Sequence, residues 1–493
     1  MKKIVKLLLK KGAEKMKVLF AAAECAPFFK TGGLGDVAGA LPKELKKQGI
    51  DVRVVLPLYS TMPQKYKNQL EDVVQFEVKV GWRSQYCGIK KLKKDQVVYY
   101  FVDNLYYFDR PSIYGFDDDG ERFAFFSQAI CEMLEKIDFI PDVLHVNDWH
   151  TSIIPVLLKD KYHWIKNYQS IKTILTIHNL QFQGVYDQLA LSDLYGIGYN
   201  TFHEHGLKYY DQINCLKGGI FYADKVTTVS PTYAQEIQTP EFGENLDGVL
   251  RHNNYKLSGI LNGIDYDVFN PETDDLIPAH FSAKELAGKT ANKLALQERV
   301  GLPVNKKVAL MSMVSRLTTQ KGCDLLRDKI DELMQRNIQI LVLGTGEKEY
   351  EDSFSYFTWK YPEKFKVIID FDVSLAQLIY AGSDLFIMPS AFEPCGLSQL
   401  NSLRYGTLPI VHETGGLKDT VEPFNPLTGE GTGFSFYDFR SEVMVETIDR
   451  ALTLYYDEPK AWSSLVKQAM TKDFSWEKST KEYIDVYTSL LKA

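Results

Sequence analysis

The chain has no Cys-x-x-Cys pair. Its six cysteines stand at 25, 87, 131, 215, 323 and 395, a scatter that offers neither a disulfide framework nor a zinc site and suits a reducing cytoplasm. It has no run of 18 apolar residues, so no membrane span is expected. It has no basic excess either: the net formal charge is −7, which gives no overall field for nucleic acid or an anionic membrane. What is present is ordinary for a soluble globular protein, with 45% hydrophobic and 25% charged residues. At 493 residues the chain exceeds what one hydrophobic core holds and points to two or three domains. Residues 1–15 stand apart. They are rich in lysine around a short apolar core, too short and too interrupted for a signal peptide. They are expected to be a loosely ordered N-terminal extension without function, the fold starting at Lys17.

Several apolar runs read as buried parallel strands, each followed by a polar or glycine-rich loop and a helix. Lys17–Ala23 is the first. The loop Lys30-Thr31-Gly32-Gly33-Leu34-Gly35 follows, then a helix ended by Gly49, then a strand over Asp51–Leu56, a βαβ start. Gly33, Gly35 and Ala38 also satisfy the dinucleotide fingerprint G-x-G-x-x-A. The fingerprint wants an acid at the end of the second strand, and Leu56-Pro57-Leu58 stands there, so a nicotinamide enzyme is the weaker reading. Residues 73–102 alternate in β fashion, an antiparallel excursion. Residues 103–126 mix aromatics with acids, which suits sugar rings, with their apolar faces and hydroxyl rims; aromatics packed underneath a surface loop are the alternative. Strands over Val143–Val146 and Thr173–Ile177 end in Asn147-Asp148-Trp149-His150 and His178-Asn179. Strand ends of a doubly wound sheet are where ligands bind. Lys225–Val229 is the last clear strand of this half, and Asn262-Gly263 is a turn.

Lys307–Val314 opens a second half, with Arg316 and Lys321 in the loop at its end. A planar guanidinium fork and an ammonium in one such loop suit a diphosphate. Residues 383–420 then read strand, loop, helix, strand, loop, helix. Leu385–Met388 is the strand, Pro389–Pro394 the loop, and a helix opens near Cys395, with Gly406 as its stop. Leu408–Val411 is the next strand, and Gly415-Gly416 leads into another helix. Helix N-termini favour anions. Glu393 is the odd residue in such a crevice, a carboxylate that can accept hydrogen bonds from sugar hydroxyls. The triplets Asp117/Asp119, Asp265/Asp267 and Asp370/Asp372 match the D-x-D pattern with which one class of nucleotide-sugar enzymes holds a metal-bound diphosphate, but none has a nucleotide-binding context. No catalytic metal and no other cofactor is expected.

Lys-Thr-Gly-Gly-Leu-Gly-Asp-Val from Lys30, His145-x-x-Asp148-Trp149-His150, Ile177-His178-Asn179, Glu393-Pro394-Cys395-Gly396 and Gly415-Gly416-Leu417 together resemble the glycogen and starch synthases, retaining glycosyltransferases. The resemblance covers nearly the whole chain from Met16. It implies an α/β fold of two Rossmann-like domains facing across a deep cleft, the GT-B type. The expected division is an acceptor (glucan) domain over 16–258, a nucleotide-sugar donor domain over 259–475, and a C-terminal helix over 476–493 that crosses back to the first domain.

The same resemblance implies transfer of glucose from ADP-glucose to the non-reducing end of an α-1,4-glucan, with retained configuration. By position, Lys30, Gly32, Gly33 and Gly35 would meet donor phosphates and glucose, and Asn262 donor glucose. Glu393, Cys395, Gly396, Thr414, Gly415, Gly416 and Leu417 would bind donor glucose and phosphate. His178 would sit beside the reacting sugar, with Arg316 and Lys321 on the leaving diphosphate. Asp148, with Tyr114 and Trp149, would meet the acceptor. Two alternatives stay open: a related retaining transferase that uses UDP-glucose or another acceptor, as a sucrose or trehalose-type synthase does, and a catalytically silent sugar-nucleotide-binding regulator. The expected partners are the donor and a glucan, with no nucleic acid and no membrane, and the oligomeric state is open.

Overall fold

The computed structural model describes residues 15–492, so residues 1–14 of the expected extension lie outside the described residues. The chain forms two compact units. One takes the chain up to Val229, then Ala234–Ile260, then the segment from Ser479 onward; the other takes Ser230–Tyr233 and Leu261–Lys478.

The first unit is built on a nine-stranded sheet. Its strands are β1 (Lys17–Ala21), β2 (Asp51–Pro57), β3 (Glu71–Val80), β4 (Arg83–Lys94), β5 (Val97–Asp103), β6 (Val143–Asn147) and β7 (Lys172–Ile177). A separate three-stranded sheet of β8 (Val185–Asp187), β9 (Lys208–Tyr209) and β10 (Gln212–Asn214) interrupts the series before β11 (Lys225–Thr228) and β12 (Leu257–Gly259). The main order is β12-β11-β7-β6-β1-β2-β5-β4-β3. β1, β6 and β7 are buried almost throughout and pair in parallel, as strands covered on both faces must be. β3 and β4 form an antiparallel hairpin at one edge, and exposed residues alternate with covered ones along β3. β12 pairs in parallel with β11, so the parallel series runs one strand past Lys225–Val229. Its three residues are too few to show a period in sequence.

The second unit holds a six-stranded sheet of β13 (Ala309–Val314), β14 (Ile338–Leu343), β15 (Phe365–Ile368), β16 (Leu385–Met388), β17 (Leu408–His412) and β18 (Phe434–Phe436). Its order is β15-β14-β13-β16-β17-β18, parallel throughout. In order of appearance this is 3-2-1-4-5-6, the doubly wound arrangement, with its switch point between the first and fourth strands. The parallel strands of the first unit follow the same rule, with β5-β2-β1 on one side and β6-β7-β11-β12 on the other. The switch points therefore fall between β1 and β6 in one unit and between β13 and β16 in the other.

One helix starts later than the sequence suggests. The helix expected to open near Cys395 runs Ser398–Arg404, because Gly396 takes φ +72°, a left-handed conformation that a helix cannot include. Its end is where the pattern puts it, with Gly406 at φ +66° directly after the C-cap Tyr405. The C-terminal helix runs Trp476–Lys492. Within the first unit its Tyr487 hydroxyl lies 2.8 Å from Nδ1 of His145 on β6, whose Nε2 lies 2.6 Å from the Thr176 hydroxyl.

Candidate functional site

In the first unit, three loops leave the carboxyl ends of adjacent strands β1, β6 and β7. The loop after β1 is organised by a residue that motif reading passed over. Glu24 is buried, and its carboxylate accepts from Thr31 N and from the Thr31 hydroxyl at 2.8 Å, from Gly32 N at 3.3 Å and from Gly35 N at 3.2 Å. The glycine-rich loop thus wraps the chain's own carboxylate. Three of its amides, which the sequence offers to donor phosphates, are engaged by Glu24. Gly35 is required by contact: a Cβ there would stand 2.5 Å from Cβ of Lys30. Gly32 and Gly33 have room. Lys30 pairs with Asp36 at 2.7 Å on the surface. The signal for Glu24 was present, an acid directly after the apolar strand Lys17–Ala23 and before the glycines.

The loop after β6 turns at Asp148, which has φ +54° and ψ −176°. That region is close to glycine-only and costs a residue with a side chain about 1–3 kcal/mol. Its surroundings impose it. Asn147 Nδ2 donates to Ala21 O at 3.0 Å, Asp148 N donates to Thr176 O at 2.9 Å, and Asp148 Oδ1 accepts from His178 N at 2.7 Å. The strain ties β1, β6 and β7 together. Loss of hydration lifts the Asp148 carboxyl from the ordinary carboxylate range to about 7, against the two backbone N–H groups of His178 and Asn179 that favour its charge and with the Glu24 charge adding to the rise. The residue keeps part of its surface exposed, but the carboxyl end is the enclosed part.

His178 is buried, and desolvation lowers its pKa to about 3, so it is a neutral imidazole at physiological pH. Its Nε2 lies 2.8 Å from Asn147 Oδ1. Because the Asn147 amide NH₂ is spent on Ala21 O, that oxygen accepts, and Nε2 carries the proton. Nδ1 keeps its lone pair as an acceptor. Asn147 therefore sets the tautomer of His178, a role the sequence does not announce.

Tyr114 and Trp149 lie in one aromatic cluster. Tyr114 stacks on the ring of His150 with centroids 4.6 Å apart, Trp149 lies 4.4 Å from that ring and edge-on to Phe123, and Gly184 is pressed against Trp149 so closely that a Cβ would stand 2.5 Å from Cε3. Much of both rings is used in packing against neighbours, the arrangement of aromatics underneath a surface loop.

In the second unit the loops after β13 and β16 flank the switch point. Arg316 is exposed after β13 and forms no ion pair among the described residues. Lys321 ends a short 3₁₀ turn, Thr319–Lys321, and Gly322 follows at φ +71°. A Cβ on Gly322 would stand 1.9 Å from Pro389 O, so only glycine lets the two loops approach. Lys321 Nζ meets Glu393 Oε2 at 2.5 Å, and the Ser390 hydroxyl donates to the same oxygen at 3.2 Å. The structure therefore joins Lys321 and Glu393, 72 residues apart, in one largely buried pair.

Glu393 and Cys395 in turn seat the helix Gly415–Thr420. Gly416 N donates to Glu393 O at 3.1 Å, and Cβ atoms on Gly415 and Gly416 would stand 2.0 Å from Glu393 O and 2.1 Å from Cys395 O. Gly415 is also at φ +44°. With Gly416 N spent this way and Leu417 N on Thr414 O at 3.0 Å, two early amides of this helix serve the loop packing rather than an anion. Cys395 is buried and its thiol is pushed up to about 12, mainly by desolvation, with the backbone N–H of Asn262 acting the other way. Asn262 is buried beside it, and its Oδ1 has no hydrogen-bond partner within the protein.

Among the described residues no cluster of three metal-ligating side chains forms. One carboxylate of each D-x-D triplet is engaged within the protein. Asp119 binds Arg122 and Gly115 N, Asp265 accepts from Asp267 N, and Asp372 caps Val373–Gly382 while pairing with Arg299. Nor is any helix among the described residues long and apolar enough to cross a membrane.

Residues 17–252 match the family model of the starch synthase catalytic domain, and residues 296–468 that of the group 1 glycosyl transferases. A glycogen synthase of Ligilactobacillus salivarius is 59% identical over 97% of this chain and all of its own length, and one of Lactococcus lactis 58% over 96% of this chain and all of its own. Among solved structures, the catalytic domain of starch synthase IV from Arabidopsis thaliana, bound to ADP and acarbose, superposes with a TM-score of 0.91 at 34% identity, covering 97% of this chain and 100% of that one. A sucrose-phosphate synthase from Thermosynechococcus elongatus, at TM-score 0.61 and 14% identity over 97% of this chain and 100% of that one, shares the fold alone.

Proposed function

The chain belongs to the family of glycogen and starch synthases, retaining glycosyltransferases, and from that membership we propose the roles of its two half-sites in moving glucose from ADP-glucose to the non-reducing end of an α-1,4-glucan. The observation that carries the proposal is the position of Arg316, Lys321 and Glu393 on the two loops that flank the β13/β16 switch point, where a doubly wound sheet binds its ligand. Arg316 and Lys321 hold the donor diphosphate. Glu393 and the free Asn262 Oδ1 take the donor glucose hydroxyls, and the 414–417 loop seats Glu393 through the Gly416 N–H to its carbonyl. The second unit is thereby assigned most of the donor, and the first the acceptor together with the donor-phosphate contacts of the Lys30–Gly35 loop.

The bond from the glucose anomeric carbon to the diphosphate oxygen breaks, and its electron pair leaves with the diphosphate. The acceptor 4-hydroxyl oxygen bonds to that carbon from the same face, and its proton passes to the departing phosphate oxygen. Cations placed where the charge grows lower the barrier. Neutral His178 offers its Nδ1 lone pair to a sugar hydroxyl and brings no positive charge of its own to the sugar. Two cationic side chains serve the diphosphate, so the reaction is proposed to need no metal. Six buried free cysteines accord with a proposed cytoplasmic location.

The choice of ADP over UDP rests on the Glu393-Pro394-Cys395-Gly396 form of the motif and on the ADP in the Arabidopsis relative. Labelled ADP-glucose and UDP-glucose, each supplied with glycogen, test it. Faster turnover of ADP-glucose into α-1,4-linked product is expected. Equal or better turnover of UDP-glucose would overturn the choice of donor.

A further inference from the structure

One side chain in the second unit joins the carboxyl ends of three neighbouring strands. His412 ends β17, which lies between β16 and β18. Its ring is buried, with Nδ1 2.8 Å from Ser390 O just past β16 and Nε2 3.0 Å from Tyr437 O just past β18. A carbonyl oxygen only accepts, whereas a neutral imidazole has one N–H and one lone pair. In either tautomer the neutral ring would set its lone pair against one of the two oxygens. Turning the ring over would bring carbon atoms to both and forfeit both bonds. The imidazolium, with a proton on each nitrogen, is the form that matches both oxygens. The rings of Phe436 and Phe439 flank it, with centroids 5.5 and 5.2 Å away. Ser390 is buried, so its carbonyl would be costly to leave without a donor.

Ser390 matters to the donor half-site through its hydroxyl, which donates to Glu393 Oε2 at 3.2 Å. The loop that carries both residues is fixed through backbone at two further points, Ala391 N to Gln320 O at 2.9 Å and Gly416 N to Glu393 O at 3.1 Å. His412 adds a side-chain clamp at the start of the same loop. It reaches there from the strand that leads into Gly415-Gly416. The charged groups on the neighbouring segments have partners of their own. Glu393 pairs with Lys321, Glu413 accepts from the Ser435 hydroxyl at 2.7 Å, and Asp438 pairs with Arg440 at 3.5 Å. We propose that His412 is a positioning residue for the donor glucose, an imidazolium clamp whose two N–H groups tie the Glu393 loop to the ends of β17 and β18. A sugar-binding carboxylate held in this way meets its ordering cost before the donor arrives.

The inference rests on the donor reading above, and its test separates the two. Long-range ¹H–¹⁵N spectra of wild type carrying labelled histidine report the protonation of each ring nitrogen without any substrate. The His412 signals are identified by their absence from His412→Gln. Protons on both nitrogens at the assay pH are expected, and a His412 nitrogen that keeps its lone pair overturns the clamp. In kinetics, His412→Phe keeps a ring and loses both donors. It is expected to raise KM for ADP-glucose roughly tenfold, the worth of about one hydrogen bond from a charged group, with kcat reduced less and KM for glycogen unchanged. His412→Arg restores a cation with several donors and should recover most of that loss. If a folded His412→Phe keeps the wild-type KM for ADP-glucose, His412 does not position the donor. If both KM values rise with a fall in melting temperature and arginine recovers neither, His412 only supports the fold and the proposal also falls. If wild type transfers glucose from neither ADP-glucose nor UDP-glucose, it is the donor reading that has failed, and the ring spectrum still decides the state of His412.

Discussion

Lys321 and Arg316, both proposed to hold the donor diphosphate, stand in different surroundings. Lys321 starts with its charge balanced by Glu393 at 2.5 Å, whereas Arg316 stands exposed with no ion pair among the described residues. A cation near the leaving diphosphate gains most when the charge has developed, so its loss should appear in turnover more than in affinity. Arg316→Ala and Lys321→Ala are each expected to lose roughly 10²–10³ in turnover at saturating ADP-glucose, by analogy with a lost oxyanion donor. Arg316→Lys should recover little, since an ammonium cannot reproduce the fork. Neither residue supports the core, so melting temperatures should hold for the Arg316 variants. Lys321→Ala leaves the Glu393 carboxylate without its partner and should melt somewhat lower. Turnover alongside melting checks both. An alanine variant that keeps more than about a tenth of wild-type turnover, far above the expected loss, would remove that residue from the leaving-group role.

At the scale of elements, each half-site is a set of loops at neighbouring strand ends, locked by contacts that tolerate little. Gly415 combines φ +44° with a backbone oxygen 2.0 Å from where a Cβ would sit. Gly415→Ala is expected to cost at least about 2 kcal/mol through strain and the forced shift of the Glu393 loop, and to weaken ADP-glucose binding beyond that loss of stability. Chemical denaturation and donor titration measure the two separately. In the other unit, Glu24→Gln swaps an acceptor-only carboxylate for an amide that presents two hydrogens to the loop donors. The Thr31–Gly35 loop should loosen, with KM for ADP-glucose rising while the sheet, whose β1 is buried independently of Glu24, keeps the melting temperature within a few degrees. An unchanged KM would show that Glu24 is a structural anchor with no bearing on the donor.

For the whole molecule, pH and metal dependence are the measurable properties. Burial lowers His145, His150 and His178 to about 3, below the unfolded value near 6.5. Above that value both states are neutral and the full stability is present. As pH falls from 6.5 toward 3, the unfolded chain takes up three protons that the folded one refuses. Asp148, raised to about 7, works the other way, since between 7 and the unfolded value near 3.8 the folded state holds a proton that the unfolded one lacks. Net uptake on unfolding from these four groups is two protons, so stability should fall by about 2.7 kcal/mol per pH unit between pH 6 and 4.5. His145→Gln should be less stable at pH 7.5 but show a slope shallower by one proton; a slope equal to wild type would mean that His145 titrates normally in the fold. Turnover should survive exhaustive EDTA, since Arg316 and Lys321 are proposed to serve the diphosphate, and loss restored by Mg²⁺ or Mn²⁺ would replace that proposal with a metal.

Some of this was determined by the chain alone. The apolar run Leu385–Met388, bounded by loop residues, reads as a strand covered on both faces, and Gly406 marks a helix stop whatever the neighbours, because the positive φ after a C-cap is a local requirement. Tertiary structure decided the rest. It ranked the strands so that β13 meets β16 and β1 meets β6, and so turned loops far apart in the chain into two switch points. It paired Lys321 with Glu393, set the His178 tautomer through Asn147 and bent Asp148 into a left-handed backbone. None of these is a property of one segment. A hydrogen bond between residues 30 or 72 positions apart depends on sheet order, and sheet order is a competition among strands that no single strand encodes. The late start of the helix Ser398–Arg404 has the same origin. Gly396 is turned by the packing of 393–395 against Gly415-Gly416, and a period of leucines cannot report a contact with the next loop.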